Sequence, residues 1–482
     1  MDKWYSLLNM SFEYEEAMNR EYTITCTNNQ SVLDVLKAHG VAVSAKCNAR
    51  HTCGSCKIRY LYGDCEPTRE ELNVLSKEEI EDGIRLACAS RPKDMVRIEI
   101  LDKEEADILT NTKLSVEAVN GHSQVFAAFD LGTTTLAAKL IQNGQVIYTT
   151  SKKNSQCTYG SDVVSRCEAS INGCGDKLSE CLLQDIEDMI NEFPVMPTHL
   201  VMAGNTTIIH LLKNYPVEGL IKYPFTPYYS GWHKMDYVTD TGKSIPCTLF
   251  PDFSAYIGGD IMSGLYYCDY AAKDTVNLFV DLGTNGEMAI GNSSRILTCS
   301  AAAGPAFEGT KLNVATDVVK CMYELLCQGI IDANGLLKDP YFDEGYPYPI
   351  KDSPDKYVII TQQDIRNIQM AKAAIRAGID LLITCYGADA KSISKLYLAG
   401  GMGTELDLDA AVGIGLIPST LINKVEAVGN SSLGGCIKYG LNNYEASPID
   451  KLRAISSEIL LSNEPDFQNK YYEYMLFNLI NS

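Results

Sequence analysis

The stretch Phe129-Asp130-Leu131-Gly132-Thr133-Thr134-Thr135 decides the fold of the larger part of this chain, because its turn motif recurs at Asp281-Leu282-Gly283-Thr284. Apolar residues precede and follow both copies. A second turn sequence comes after each copy, Asn143-Gly144 in the first and Gly291-Asn292 in the second. This order predicts a strand, a tight turn, a strand, a hairpin turn and a third strand. The repeated motif therefore predicts two lobes that are built in the same way.

The two Asp-Leu-Gly-Thr turns indicate phosphate binding. Their backbone N–H groups and threonine hydroxyls can bind phosphate oxygens, and each aspartate can orient a hydrated Mg²⁺. A Walker-type loop is not expected, because Gly242-Lys243-Ser244 has Tyr237 at the position that requires the upstream glycine. The candidate phosphate-site residues are Asp130, Gly132, Thr133, Thr134, Asp281, Gly283, Thr284, Asn285 and Gly286.

Together with Gly400-Gly401-Met402-Gly403, these turns resemble the acetate and sugar kinase, heat-shock ATPase and actin superfamily. The resemblance implies a two-lobed, actin-like ATPase whose ribonuclease-H-like lobes close on ATP. It makes residues 130–134 and 281–286 the phosphate loops. It also implies that Gly400 and Gly401 lie against the adenosine, where a side chain would prevent close approach.

The same resemblance implies a catalytic carboxylate. Residues 258–264 resemble the segment that carries the catalytic aspartate of sugar kinases, so Asp260 is the candidate for positioning the attacking water. Glu287 is the rival for orienting the water or for the metal shell. The purely structural alternatives are a helix-capping Asp260 and a polar strand position for Glu287.

Four cysteines near the N-terminus predict an iron–sulfur cluster. Three have the spacing C-x5-C-x2-C, and the fourth lies in Arg85-Leu86-Ala87-Cys88. Thiolates are the ligands of a [2Fe-2S] cluster, and the spacing resembles that of vertebrate-type and bacterial-type redox ferredoxins. A structural zinc site is the alternative, although such sites usually pair two C-x2-C knuckles and only one occurs here. The predicted ligands are Cys47, Cys53, Cys56 and Cys88.

The expected fold class is multidomain, α+β and α/β. Extended patterns at residues 22–26 and 96–100 and a helical pattern at 31–39 suit a β-grasp, ferredoxin-like domain around the cysteines. A capping box at Thr361 predicts a helix to Tyr386, and residues 444–482 read as helical. The expected divisions are a ferredoxin-like domain at 1–102, a flexible linker at 103–124, a first ATPase lobe at 125–275 and a second at 276–482.

The composition predicts a cytoplasmic protein with no nucleic-acid or membrane partner. The 482 residues carry a net charge of −20, and an acidic surface is repelled by nucleic acid and by anionic membranes. The chain has no run of about 18 apolar residues, and its N-terminus lacks the pattern of a signal peptide. We expect the 17 cysteines to be reduced rather than to form a disulfide framework.

The combination of a cysteine-rich N-terminal domain with these lobes resembles the ATP-dependent reductive activators of corrinoid proteins in anaerobic methyl-transfer systems. Besides the motifs above, residues 159–166, 203–207, 302–309, 361–366 and 398–401 carry the resemblance. It implies one-electron reduction of an inactive Co(II) corrinoid to Co(I), with a [2Fe-2S] cluster, ATP and Mg²⁺. The implied partners are a corrinoid protein of a methyltransferase system, a low-potential donor such as ferredoxin or flavodoxin, and a second copy in a homodimer.

The sequence departs from longer members of that family and leaves other functions open. Longer members carry an additional small middle domain between the cluster domain and the first lobe. Activators of 2-hydroxyacyl-CoA dehydratases also couple this ATPase fold to electron delivery, but they hold a [4Fe-4S] cluster between subunits and need no ferredoxin domain. The remaining alternatives are a non-redox, ATP-dependent clamp with structural zinc, and a small-molecule kinase.

Overall fold

The computed structural model of the chain describes residues 21–26, 30–38, 41, 43, 51, 54, 56–63, 65–101, 125–239, 242–283, 285–304, 315–350, 353–400 and 406–477. Within these ranges the backbone forms one four-stranded sheet, two six-stranded sheets and a two-stranded hairpin. Four predicted site residues and the predicted linker lie outside the described residues: Cys47, Cys53, Thr284, Gly401 and residues 103–124.

The N-terminal sheet is antiparallel, in the order β1-β4-β2-β3. Its strands are β1 (Glu21–Thr25), β2 (Lys57–Tyr62), β3 (Ile84–Leu86) and β4 (Met95–Ile100), and its helices are α1 (Val32–Ala38), α2 (Arg69–Val74) and α3 (Lys77–Glu81). Apolar residues of α1 share one buried core with Ile58 and Ile98 of the sheet. The strands and the helix predicted around the cysteines are confirmed.

The first six-stranded sheet has the order β7-β6-β5-β8-β10-β9. Its strands are β5 (Val125–Leu131), β6 (Thr135–Gln142), β7 (Gln145–Lys153), β8 (His199–Gly204), β9 (His233–Val238) and β10 (Ser244–Leu249). The helices are α4 (Val163–Ala169), α5 (Gly175–Asn191), α6 (Thr206–Leu212), α7 (Glu218–Ile221) and α8 (Gly259–Tyr267). β5 is buried over most of its length, as a central strand covered on both faces is.

The second six-stranded sheet has the order β17-β16-β11-β12-β13-β18. Its first elements are β11 (Asn277–Leu282), β12 (Gly286–Gly291), β13 (Ile296–Ala301), α9 (Ala315–Cys327), the hairpin β14 (Tyr346–Ile350) and β15 (Ser353–Ile360), and α10 (Gln362–Tyr386). The remainder are β16 (Leu396–Ala399), α11 (Leu408–Gly413), β17 (Val425–Gly429), α12 (Ser431–Leu441), α13 (Ser447–Ile455), β18 (Ser456–Glu458) and α14 (Pro465–Tyr474).

The two six-stranded sheets share one pattern, which confirms the predicted pair of similar lobes. In each, three strands form an antiparallel meander and a fourth lies parallel to the first on its other side, giving β7-β6-β5-β8 and β13-β12-β11-β16. Asp130 is paired with Ala203 of β8, and Asp281 with Ala399 of β16. Both Asp-Leu-Gly-Thr turns therefore lie at the carboxyl edge of a sheet, where ligands bind in folds of this kind.

Helices α8 and α12 join the two lobes. They share a buried core with Phe126 of the first sheet and Phe279 of the second. Two glycines allow this close packing: a Cβ on Gly435 would lie 2.2 Å from the Ser263 carbonyl oxygen, and one on Gly264 would lie 2.8 Å from the Phe279 ring. Asp260 lies in the first turn of α8, so this helix also brings a candidate catalytic residue to the cleft.

The C-terminal part differs from the expected run of helix. Residues Ser456–Glu458 form β18, which adds a parallel strand beside β13 between two helices. Three polar residues carry no alternating apolar pattern, so only pairing with β13 makes them a strand. The Thr361 capping box and the helix that follows it are confirmed. No helix in the described ranges has the length and apolar character needed to cross a membrane.

Candidate functional site

The first phosphate turn is shaped by a glycine and supported by an asparagine. A Cβ on Gly132 would lie 2.4 Å from the Thr135 carbonyl oxygen, so a larger residue would force this turn open. Asn154 donates from Nδ2 to the Gly132 carbonyl at 2.9 Å and from its backbone N–H to the Thr134 carbonyl at 3.0 Å. These two hydrogen bonds fix the backbone of the turn from the side of β7.

Two further side chains fix Thr133. The buried Arg166 guanidinium donates to the Thr133 carbonyl at 2.7 Å and to the Gly160 carbonyl at 2.9 Å. Asn205 donates from Nδ2 to the Thr133 hydroxyl at 2.9 Å, while its Oδ1 caps α6 by accepting from the Ile208 N–H. The segments around Arg166 and Asn205 therefore hold the first turn in place through hydrogen bonds to Thr133.

The second phosphate turn packs against α10 and against Gly400. Gly283 donates its N–H to the Asn285 carbonyl at 3.0 Å, and a Cβ on Gly286 would lie 2.9 Å from Ile375 of α10. Gly400 has a φ of +88°, and a Cβ there would lie 2.6 Å from the Leu282 carbonyl oxygen. Only glycine at position 400 therefore allows the backbone to pack this closely against the second turn. This requirement is separate from the predicted place of Gly400 beside the adenosine.

Four carboxylates from the two lobes, those of Asp130, Asp260, Asp281 and Glu287, are near enough to influence one another electrostatically. Each of these residues is only partly accessible to solvent. Burial raises the pKa of Asp281 to about 7, and the charges of Asp260 and Asp130 add to that rise. Burial also raises the pKa of Asp260 to about 7, and it raises the pKa of Glu287 well above its ordinary range.

This arrangement fits a hydrated divalent cation. Burial is the largest cause of these raised pKa values and the neighbouring negative charges add to it, so a cation bound among the carboxylates would favour their ionised forms. Among the described residues no group of three or more side chains has the geometry to chelate a metal directly. If Mg²⁺ bound here, these carboxylates would supply hard oxygen ligands to it, directly or through its waters.

Asp260 is not the cap of its helix. Gly258 occupies the N-cap position of α8, and Asp260 follows in the first turn, where its Oδ1 accepts from the Ile261 N–H at 2.8 Å. A Cβ on Gly258 would lie 2.5 Å from the Asn205 Cα, so α8 begins directly against the segment that supports the first turn. Glu287 lies on β12, with the Ser300 hydroxyl 3.4 Å from its Oε1.

Asp130 makes a contact that the sequence did not predict. Asn430 donates from Nδ2 to Asp130 Oδ2 at 2.8 Å, and the Ser432 hydroxyl donates to Asp130 Oδ1 at 2.7 Å. These donors lower the pKa of Asp130, but burial outweighs them and the pKa remains raised. Neither Asn430 nor Ser432 belongs to a recognisable motif, whereas Arg166 and Asn205 lie in segments that carry the family resemblance.

The cysteines in the described part of the N-terminal domain fit an iron–sulfur cluster. The Sγ atoms of Cys56 and Cys88 lie 3.3 Å apart, and both residues are buried, at 1% and 2% exposure. His51 Nδ1 lies 3.2 Å from Cys88 Sγ. Burial raises the pKa of the off-motif Cys26 to about 11, which keeps that thiol protonated and makes it a poor ligand.

Three models of known domains match the chain. The 2Fe-2S iron-sulfur cluster binding domain matches residues 16–93. The RACo middle region matches residues 126–273, and the C-terminal domain of RACo, the ASKHA domain, matches residues 275–316 and 314–481. The region that the family calls its middle therefore corresponds to the first lobe of this chain.

Similar proteins include corrinoid activators. Corrinoid activation enzyme RamQ from Eubacterium limosum is 28% identical over 420 residues, covering 73% of this chain and 70% of the relative. The Co(II) methylated amine-specific corrinoid protein reductase from Methanosarcina barkeri is 23% identical over 420 residues, covering 71% and 75%. A solved structure of a reductive activator for corrinoid, iron-sulfur protein has the same fold, with a TM-score of 0.68 at 22% identity, covering 94% of this chain and 96% of that one.

The fold and the matched domains define an iron–sulfur protein with an actin-like, ASKHA-type ATPase. Within that class, the chain belongs to the RACo family, because family models match its middle and C-terminal regions and its relatives are corrinoid activators. The predicted fold class and the predicted family are confirmed. The finer assignments of cluster type, Mg²⁺ and individual site residues remain predictions.

Proposed function

We propose that this protein reductively activates a corrinoid protein in an ATP-dependent reaction, returning inactive Co(II) to Co(I) by transfer of one electron. One observation carries the proposal: a pair of buried thiols at Cys56 and Cys88 shares a chain with an ASKHA-type, two-lobed domain that brings carboxylates of both lobes near one another. Relatives whose names describe corrinoid activation and Co(II) corrinoid protein reduction support it.

The proposed roles follow from chemistry and position. The phosphate turns bind ATP through backbone N–H groups and hydroxyls, while the carboxylates orient hydrated Mg²⁺. Asp260 positions the attacking water, with Glu287 as the rival for that role. Cys47, Cys53, Cys56 and Cys88 would hold a [2Fe-2S] cluster, which supplies one-electron transfer when bound. The proposed division of the chain is a ferredoxin-like domain at residues 1–102, a flexible linker at 103–124, a first ATPase lobe at 125–275 and a second at 276–482.

ATP is needed because the electron moves uphill. For a gap in reduction potential of about 200 to 300 mV, one electron costs roughly 5 to 7 kcal/mol on the scale of about 59 mV per tenfold. ATP binding and hydrolysis can offset a cost of that size by changing how the two lobes and the docked partner are arranged. We propose a corrinoid protein of a methyltransferase system as acceptor and a ferredoxin or flavodoxin as donor. A homodimer and a cytoplasmic location complete the proposal.

The test uses the whole chain, purified without oxygen, and a Co(II) corrinoid protein. The Co(I) absorption band is followed with reductant, in the presence and absence of Mg-ATP. We expect ATP-dependent growth of the band, lost in Cys53→Ala and retained in the off-motif control Cys65→Ala. Absence of Co(I) formation despite an intact cluster and ATP turnover would reject the corrinoid acceptor. Zinc in place of iron, with no visible absorption, would reject the electron-transfer role.

A further inference from the structure

The contact between Asp130 and the start of α12 reaches across the lobes. Both carboxylate oxygens of Asp130, in the first lobe, accept hydrogen bonds from residues that come after the second lobe's β17. We propose that Asn430 and Ser432 are positioning residues that hold the Asp130 carboxylate toward the hydrated Mg²⁺ of Mg-ATP and tie the first phosphate turn to the second. The inference rests on the proposed ATP site.

Local structure fixes the orientation of both donors. Asn430 is the N-cap of α12, and its Oδ1 accepts from the Leu433 N–H at 2.8 Å, which leaves Nδ2 directed at Asp130. The Ser432 carbonyl accepts from the Ser263 hydroxyl of α8 at 2.7 Å. The start of α12 is therefore held by α8 on one side and by Asp130 on the other.

The same segment contacts the second phosphate turn through Gly400. The Gly429 carbonyl, one residue before Asn430, accepts from the Gly400 N–H at 3.1 Å. Gly400 lies so close to Leu282 and Asp281 that no Cβ would fit between them. Three short contacts thus connect Asp130 to Asp281: Asn430 with Asp130, Gly429 with Gly400, and Gly400 with Leu282 and Asp281. A change in the spacing of the two turns is therefore transmitted to the Asp130 carboxylate.

The charges at this contact favour cation binding by Asp130, because neither of its two partners is positively charged and no ion pair forms there. Asn430 and Ser432 are neutral donors, so they orient Asp130 without cancelling its charge. The N-terminus of α12, a helix of 11 residues, carries the positive end of the helix dipole, which also stabilises the negative charge of Asp130. A Lys or Arg at either position would neutralise the carboxylate and compete with Mg²⁺. The neutral donors leave the negative charge available to the metal.

The test compares equilibrium binding of a non-hydrolysable ATP analogue with and without Mg²⁺ in the whole chain. The double variant Asn430→Ser/Ser432→Ala keeps a helix cap, because Ser is a preferred N-cap residue, but it removes the Asn430 amide and the Ser432 hydroxyl that donate to Asp130. The matched control is Ser431→Ala, since the buried Ser431 hydroxyl has no hydrogen-bond partner among the described residues. Ser432→Ala alone is the second variant, used if the double variant does not fold.

We expect the Mg²⁺-dependent gain in affinity to fall about tenfold or more in the double variant, because Asp130 loses both of the donors that orient its carboxylate. Affinity without Mg²⁺ should stay within about twofold of wild type, and Ser431→Ala should match wild type. The positioning role would be overturned if Mg²⁺ raised the affinity of the double variant for the analogue as much as it does in wild type. It would also be overturned if the variant lost the same factor of affinity with and without Mg²⁺. Failure of the wild-type chain to bind the analogue would instead reject the proposed ATP site.

Discussion

Replacing Asp260 by Asn should stabilise the ATPase part while it abolishes activity. The pKa of Asp260 is raised from 3.8 to about 7, so the folded state binds more protons than the unfolded state between those values. Stability therefore falls as pH rises through this window, and the loss is complete above about pH 7. Asn carries no charge, keeps the shape of Asp, and can still accept from the Ile261 N–H.

The magnitude follows from the size of the shift. A rise of about three pKa units corresponds to about 4 kcal/mol of destabilisation at about pH 8, which is an upper bound. Asp260 is partly accessible, so solvent screening reduces the expected gain for Asp260→Asn to about 1 to 2 kcal/mol. At about pH 5.5 the folded wild type is already protonated at Asp260, and the gain should be roughly half as large.

Urea unfolding followed by tryptophan fluorescence measures this difference. Trp232 contacts both lobes, because its Nε1 donates to Asp450 at 2.7 Å and its ring packs on Tyr439, so its emission reports on the ATPase part. Asp343→Asn, at an exposed aspartate, is the control and should change neither stability nor ATP hydrolysis. A destabilised Asp260→Asn variant at about pH 8, or an equal gain at both pH values, would refute the reasoning. ATP hydrolysis in Asp260→Asn should fall by about 100-fold or more.

Three further outcomes are expected. Gly400→Ala should weaken ATP binding by about tenfold or more, because its Cβ would lie 2.6 Å from the Leu282 carbonyl at a φ of +88°; wild-type affinity in a titration would contradict this contact. Arg166→Gln should lower the free energy of unfolding measured in urea by about 2 kcal/mol or more, since the Thr133 carbonyl loses its buried donor. The affinity for Mg²⁺ should fall below about pH 7, because Asp260 and Asp281 of the metal-free protein take up protons there, and an affinity that is constant from about pH 8 to pH 6 would argue against these carboxylates as part of a cation site.

Local patterns in the sequence were sufficient for the elements that carry the site. The two Asp-Leu-Gly-Thr turns are each bounded by apolar strands, and a tight turn with its flanking hairpin is encoded within about 20 residues. The predicted meanders around β5 and β11 are confirmed for this reason. The Thr361 capping box is equally local, and it begins α10 as predicted.

Local patterns could not predict the contacts between segments that are far apart in the sequence. Asn430 lies 300 positions from Asp130, and Ser432 lies 302 positions from it, so no spacing or periodicity connects them. The close approach of Gly400 to Leu282 is likewise a contact that no local pattern predicts, while its place beside the adenosine stays a prediction. β18 has no apolar alternation and exists as a strand because β13 offers an edge for pairing.

The sequence by itself determined the family: four cysteines, three of them in ferredoxin-like spacing, and two Asp-Leu-Gly-Thr turns are the features that its members combine. Only the tertiary structure decided which charges meet. Asp130, Asp260, Asp281 and Glu287 come from both lobes, and their raised pKa values depend on burial and on mutual distance rather than on residue type. The burial of these carboxylates and the distances between them are set when α8 and α12 pack between the two sheets, because that packing fixes the positions of the two lobes.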